Sequence, residues 1–103
     1  MTEIQRLQNV LGEWSDKTFG NIDNPTGCLN HLKKEVDELI DSPRDEMEYA
    51  DCMMLIIDAY RKIGGTADEL VQACFEKYDI CLTRTWGPPD ENGVSQHIRE
   101  NDK

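Results

Sequence analysis

The chain has no apolar run approaching the 18 or so residues that mark a membrane span, and Met1 to Val10 lack the basic-then-apolar order of an export signal. Both absences point to a cytoplasmic protein with no membrane partner. Basic residues are scarce, with 11 Lys+Arg against 21 Asp+Glu and a net charge of −10. A surface for nucleic acid needs a basic patch that this chain has little material to build, so nucleic acid is not expected as a partner. The four cysteines, Cys28, Cys52, Cys74 and Cys81, form no CxxC pair and fall in helix-like stretches. Neither a zinc cage nor a disulfide framework follows from that spacing, and buried reduced thiols are expected. No segment sustains period-2 alternation and no internal repeat is present, which leaves an all-α bundle with short connections.

With 103 residues the chain reads as one domain over 1–103. A chain of this size buries only about 60–70% of its unfolded surface, which favours assembly with further copies. Punctuation predicts four helices. The first runs from Glu3 to Asp16 behind Thr2, with Ile4, Leu7, Val10, Leu11 and Trp14 on one face. The second starts at Thr26 or Gly27 and continues to Ile40, with Leu29, Leu32, Val36, Leu39 and Ile40 as its core stripe, closed by Asp41-Ser42-Pro43. The third opens with Ser42 as N-cap and Pro43 at the first helical position, and stops at Gly64-Gly65. The fourth begins with the capping-box pattern Thr66-Ala67-Asp68-Glu69 and ends before Trp86-Gly87-Pro88-Pro89, with a polar tail from Asp90 to Lys103. The tight link between the second and third helices makes them antiparallel neighbours, so their facing side chains share one site.

Chemistry concentrates in Met47 to Tyr60. Eleven of these fourteen residues are apolar or aromatic, and the other three, Glu48, Asp51 and Asp58, are acids. At about 100° per residue the acids fall within roughly 80° of arc, a narrow acidic stripe on a helix suited to a core or subunit interface. An isolated carboxylate there costs several kcal/mol in desolvation unless it is paired or bound to a cation. On the second helix His31, Glu35 and Glu38 lie within about 60° of one another. Glu35 and Glu38 can therefore face Glu48 and Asp51, and four converging carboxylates suit hard divalent cations with oxygen ligands, Mg²⁺ first and Mn²⁺ as its substitute.

Each piece has a plainer reading. Glu35 and Glu38 could be solvated partners of Lys33 and Lys34, and Glu48 and Asp51 could pair with Arg44 or Arg61. His31 could touch substrate or simply tip into solvent, and Asp58 could touch substrate or hold other helices by hydrogen bonds. Lys77 and Arg84, seven apart on the fourth helix, share a face that could hold phosphates or pair at the surface. Trp14 could stack a base or anchor the core. His97 has no derivable role.

ExxE, a short gap and then ExxD, here Glu35-Val36-Asp37-Glu38 and Glu48-Tyr49-Ala50-Asp51, resembles the MazG-like all-α nucleoside triphosphate pyrophosphatases. The stretches Trp14 to Gly20, His31 to Leu39, Glu48 to Asp58 and Trp86 to Glu100 are similar to the small phage and prophage branch described as dATP/dGTP pyrophosphohydrolases, so nearly the whole chain is covered. The resemblance implies that Glu35, Glu38, Glu48 and Asp51 hold Mg²⁺ and that subunits form a homodimer or homotetramer through the helices. It also implies that Lys77 and Arg84 match a Lys, Asn, Arg pattern on the fourth helix, although Cys81 stands here where that pattern has Asn. The implied reaction is (d)NTP + H₂O → (d)NMP + pyrophosphate, with purine deoxynucleotides as the implied substrates; one carboxylate must stay free to take a proton, and Glu38 is the one expected to do so.

Two other classes of function compete. A non-catalytic helical interaction module would use the third helix as a partner surface and release no pyrophosphate from any nucleotide. A phosphorelay bundle would use His31 as phosphoryl acceptor and leaves the paired acidic motifs without a job.

Overall fold

The computed structural model describes residues 1–98, and the chain divides into two compact units, Met1–Val71 and Gln72–Lys103. The first unit holds α1 (Glu3–Phe19), α2 (Thr26–Asp41), α3 (Glu46–Lys62) and the start of α4 (Ala67–Leu82). The second holds the rest of α4 and a two-residue ladder of β1 (Thr85–Trp86) and β2 (His97–Ile98). The four-helix all-α expectation is met.

Local chemistry sets most of the ends. Thr2 caps α1 by accepting from the Gln5 amide at 3.1 Å. The helix runs past the expected stop at Asp16 to Phe19, because Gly20 is the first residue that takes the positive φ, 89°, needed to turn away. Asn24 Oδ1 accepts from the Thr26 amide at 2.9 Å and so satisfies an orphan donor of α2. At α4 the first half of the expected capping box forms, Thr66 Oγ1 accepting from the Glu69 amide at 3.1 Å, while Glu69 Oε1 takes its bond from the Thr66 hydroxyl at 3.0 Å.

The start of α3 is a correction. Ser42 terminates α2, its amide bonded to the Glu38 and Leu39 carbonyls, and Asp45 is the N-cap of α3, accepting from the Met47 amide at 3.0 Å. Ser42 and Pro43 belong to the connection. An Asp two residues after the proline offers the better acceptor, since its charge also suits the helix N-terminus.

Within the first unit α3 packs along α2 and α1 packs on α3. The buried face of α1 is Gln8, Leu11, Gly12 and Ser15; of the apolar stripe expected there Leu11 is buried and Ile4 and Leu7 are half-buried, while Val10 and Trp14 are more than half exposed. Small and polar groups bring α1 close and bond it. Gln8 Nε2 donates to the Ile57 and Gly65 carbonyls at 3.3 and 3.2 Å, and its Oε1 accepts from the Ala67 amide at 2.8 Å, joining α1, the end of α3 and the start of α4. The core stripe expected on α2 is likewise only half-covered, and α2 contributes no buried residue. On α3, Cys52, Ile57, Asp58 and Ala59 are buried, while Met47, Tyr49, Met53 and Ile56 are exposed.

In the second unit α4 stops at Leu82, short of the expected break at Trp86. Thr83 Oγ1 donates to the Ile80 carbonyl at 2.7 Å, and the Thr83 and Arg84 amides make i to i−3 bonds that close the last turn. Arg84 therefore lies outside the helix, and the shared helical face inferred for Lys77 and Arg84 does not hold. The tail turns back on itself: the Gly87 amide reaches the Gln96 carbonyl at 2.8 Å, and Trp86 meets His97 edge-on with centroids 5.8 Å apart. Residues 99–103 of the predicted tail lie outside the described residues. All four cysteines are free, but only Cys52 is buried; Cys28 and Cys81 are half-buried and Cys74 is exposed.

Candidate metal centre and adjoining cavity

The antiparallel α2–α3 pair brings Glu35 and Glu38 of α2 to Glu48 of α3, and one carboxylate oxygen from each lies within 4.8 Å of the others. Glu48 Oε2 is shut off from solvent and has no hydrogen-bond partner among the described residues. A buried carboxylate oxygen with nothing to accept from is a costly arrangement in a finished structure. Desolvation, then the charges of Glu38 and Glu35, push the Glu48 carboxyl above its ordinary value of 4.5. Glu38 is pushed up as well, first by a hydrogen bond to Glu35 and then by that neighbour's charge, with Asp51 adding to it. Three mutually repelling carboxylates, one of them unsatisfied, fit a hard cation that takes oxygen ligands.

Asp51 sits one helical turn beyond Glu48, exposed, outside the three-residue cluster, and its charge raises the pKa of Glu38, Glu48 and the buried Cys52. Desolvation is the larger cause at Cys52. His31 Nε2 is 2.9 Å from Glu35 Oε1, which ties the histidine to the cluster's edge. Among the described residues neither Lys33 nor Lys34 makes an ion pair with Glu35 or Glu38, and Arg61 pairs with neither Glu48 nor Asp51.

Beside the cluster an open cavity of about 500 Å³ runs between α1, α2 and α3. Glu35 and Asp51 line it on the acidic side; Trp14, Phe19 and Ile22 supply an apolar wall, and Ser15, Cys28, His31, Asp58 and Lys62 also face it. Trp14 and Phe19 meet edge-on with centroids 5.3 Å apart. Of the substrate candidates, Trp14, His31 and Asp58 are brought to this one cavity. Lys77 and Arg84 belong to the second unit, Lys77 exposed on α4 and Arg84 half-buried.

Asp58 is 6% exposed and fully engaged. Ser15 Oγ donates to its Oδ2 at 3.0 Å, Arg61 Nε donates to its Oδ1 at 2.7 Å, and Lys62 Nζ lies 4.0 Å from Oδ2. Arg61 continues to Asp16 through two bonds of 3.2 and 3.0 Å. Burial works against the Arg61 charge, but the hydrogen bonds to Asp16 and Asp58 outweigh it and raise its pKa. The guanidinium crosses α1 over Gly12, where an added Cβ would lie 2.5 Å from Arg61 Cδ. Burial and the Asp58 charge push the nearby Cys28 thiol up, which keeps it protonated. Nothing in the sequence singles out Ser15, Asp16 or Lys62 as site residues; for Ser15 the available signal is a polar residue on the inner face of α1.

A protein-family model described as dATP/dGTP pyrophosphohydrolase matches residues 7–103. The Eaa protein of Salmonella phage P22 is 40% identical over 98 residues, which are 95% of this chain and 31% of that protein, so the chain spans about a third of the length of this curated relative. Among solved structures, the cyanophage S-2L MazG-like pyrophosphohydrolase, bound to dGDP and three catalytic Mn²⁺ ions per active site, matches with a TM-score of 0.79 at 28% identity over 96% of this chain and 100% of that one.

Proposed function

Because the chain belongs to the dATP/dGTP pyrophosphohydrolase family, we propose that it hydrolyses a deoxynucleoside triphosphate, dATP or dGTP first, to the monophosphate and pyrophosphate with a divalent cation. The unsatisfied, solvent-shielded Glu48 Oε2 beside Glu35 and Glu38 carries this reading. Internally paired acids would leave no such oxygen. Glu35, Glu38, Glu48 and Asp51 would hold Mg²⁺, with Mn²⁺ as its substitute. When bound, such an ion neutralises phosphate charge and lowers the pKa of an attacking water.

The chain's own groups supply the rest. Glu38 is exposed at the acidic cluster, so it is suited to take the proton of the attacking water. The Glu35–His31 bond fixes Glu35 on the cavity side of the cluster. Trp14 and Phe19 offer aromatic surface to a base, and Asp58, held by Ser15 and Arg61, would meet the nucleoside as part of the cavity wall. The same reading gives phosphate neutralisation to Lys77 and Arg84. Residues 1–103 serve as one catalytic domain acting in the cytoplasm, the host's if a phage encodes it. No helix of the described residues is long and apolar enough to cross a membrane, and no nucleic acid is required as partner. Residues 71–80 of α4 are all exposed, Phe75 and Tyr78 by about 60%, which supports assembly as a homodimer or homotetramer.

The deciding assay incubates the pure protein with Mg²⁺ or Mn²⁺ and a panel of triphosphates. Monophosphate plus pyrophosphate is the expected pair of products. Diphosphate plus phosphate refutes the bond assigned, and no turnover of any nucleotide returns the chain to a helical interaction module.

A further inference from the structure

We infer that Lys62 is a positioning residue for the nucleoside half of the substrate, acting by holding the 20–25 connection as a wall of the cavity; this rests on the pyrophosphohydrolase reading above. Its side chain is 7% exposed, and the ammonium donates to the Ile22 carbonyl at 3.1 Å. Among the described residues, this is the one hydrogen bond from residues 20–25 to any element other than α1 and α2. The connection and its flank carry Phe19, Ile22 and Asn24, all of which line the cavity.

The position along α3 assigns the end of the cavity. Lys62 lies fourteen residues after Glu48 on one helix, about 21 Å at 1.5 Å per residue. The ammonium itself reaches back one turn to Asp58, and its bond to the Ile22 carbonyl engages it at the end of the cavity away from Glu48. It belongs with Trp14, Phe19 and Ile22, where a base and sugar would sit. Asp58, Arg61 and Asp16 explain why a lysine is tolerated there: Asp58 Oδ2 is 4.0 Å from the ammonium, and Arg61 ties the same carboxylate to α1. Lys62 thus links the loop to a charge cluster that is otherwise complete within α1 and α3. Without it the loop retains only local bonds, and a ligand that needs the wall must pay to order it.

The test compares wild type with Lys62→Met, which keeps the apolar stem and removes the donor, Lys62→Arg, which restores a donor, and Lys17→Met, an exposed control. Lys62→Met is expected to raise KM for the preferred deoxynucleoside triphosphate about tenfold with kcat within twofold of wild type, and to speed hydrogen exchange at residues 21–24. The Mn²⁺-induced rise in Tm should match that of wild type, and Lys62→Arg should recover at least half of the KM change. A Lys62→Met enzyme with unchanged KM and unchanged exchange overturns the proposal, as does a fall in kcat with KM preserved. If wild type itself hydrolyses no nucleotide, the functional reading fails, and the exchange measurement still decides whether Lys62 holds the loop.

Discussion

Two acidic clusters share α3, and they differ in one respect. Toward its C-terminus Asp58, with Asp16 of α1, is matched by Arg61, Lys62 and Ser15, so every charge meets an opposite charge or a donor. Toward its N-terminus Glu48, with Glu35 and Glu38 of α2, has only other acids and the edge of His31 for company. Equal residue types on one helix thus reach opposite states of satisfaction. The comparison teaches that a buried acid is informative about ligands only once its partners have been counted, because Asp58 is closed by the protein and Glu48 is left open.

Substitution should split the clusters most sharply. Glu48→Gln and Glu38→Gln are expected to lower kcat by about 10² to 10⁴ while helical circular dichroism is retained. Asp58→Asn leaves Arg61 and Lys62 short of a counter-charge and should cost about 3 kcal/mol of stability, read as a lower Tm. An Asp58→Asn variant as stable as wild type, or a Glu48→Gln variant that unfolds, would erase the distinction.

Cation and pH sharpen it further. At a hundredfold excess over Kd, Mn²⁺ or Mg²⁺ should add about 2.7 kcal/mol to wild type and less to Glu48→Gln. Glu38 and Glu48 have folded pKa values raised above the ordinary 4.5, so the folded state holds their protons more tightly than the unfolded chain does. That contribution is present below pH 4.5 and lost as pH rises through the raised values. Metal-free wild type should therefore melt close to Glu48→Gln at pH 4 and below it at pH 7, with the cation effect growing over the same range. Thermal melts at the two pH values, with and without chelator, read the sign directly.

Smaller effects test the closed cluster. Gly12→Ala gains about 1 kcal/mol of helix propensity but pushes Arg61 off its path to Asp16. A net loss of about 1–2 kcal/mol is expected, or a Tm lower by roughly 4–16 °C for a domain of this size. Lys17→Met removes an exposed pair with Glu13 and should change stability by no more than about 0.5 kcal/mol.

The open cluster is legible in the sequence because its three acids interrupt apolar or periodic helix faces at regular spacing, and the hairpin that joins them follows from a short connection. The closed cluster is not. Asp16, Arg61 and Lys62 sit at helix ends, where charged residues are ordinary dipole partners, and nothing local shows that they meet across 45 residues. The third helix was started too early because Ser-Pro is a good cap by composition, and only the presence of Asp45 decides otherwise. The apolar stripe of α1 is visible in the sequence and buries Leu11, but it is used only in part. Bonding through Gln8, Gly12 and Ser15 outcompetes it within one chain and leaves Val10 and Trp14 outward.

The reach of Gln8 to the Ala67 amide spans 59 positions. Thr66 and Glu69 serve donors that any short peptide could satisfy by itself, whereas the Ala67 donor waits for a residue on α1. Closing so wide a loop is slow relative to coiling a single helix. Docking of the first turn of α4 is thereby placed late in folding, under the control of α1, and a chain carrying Gln8→Ala would forfeit that step.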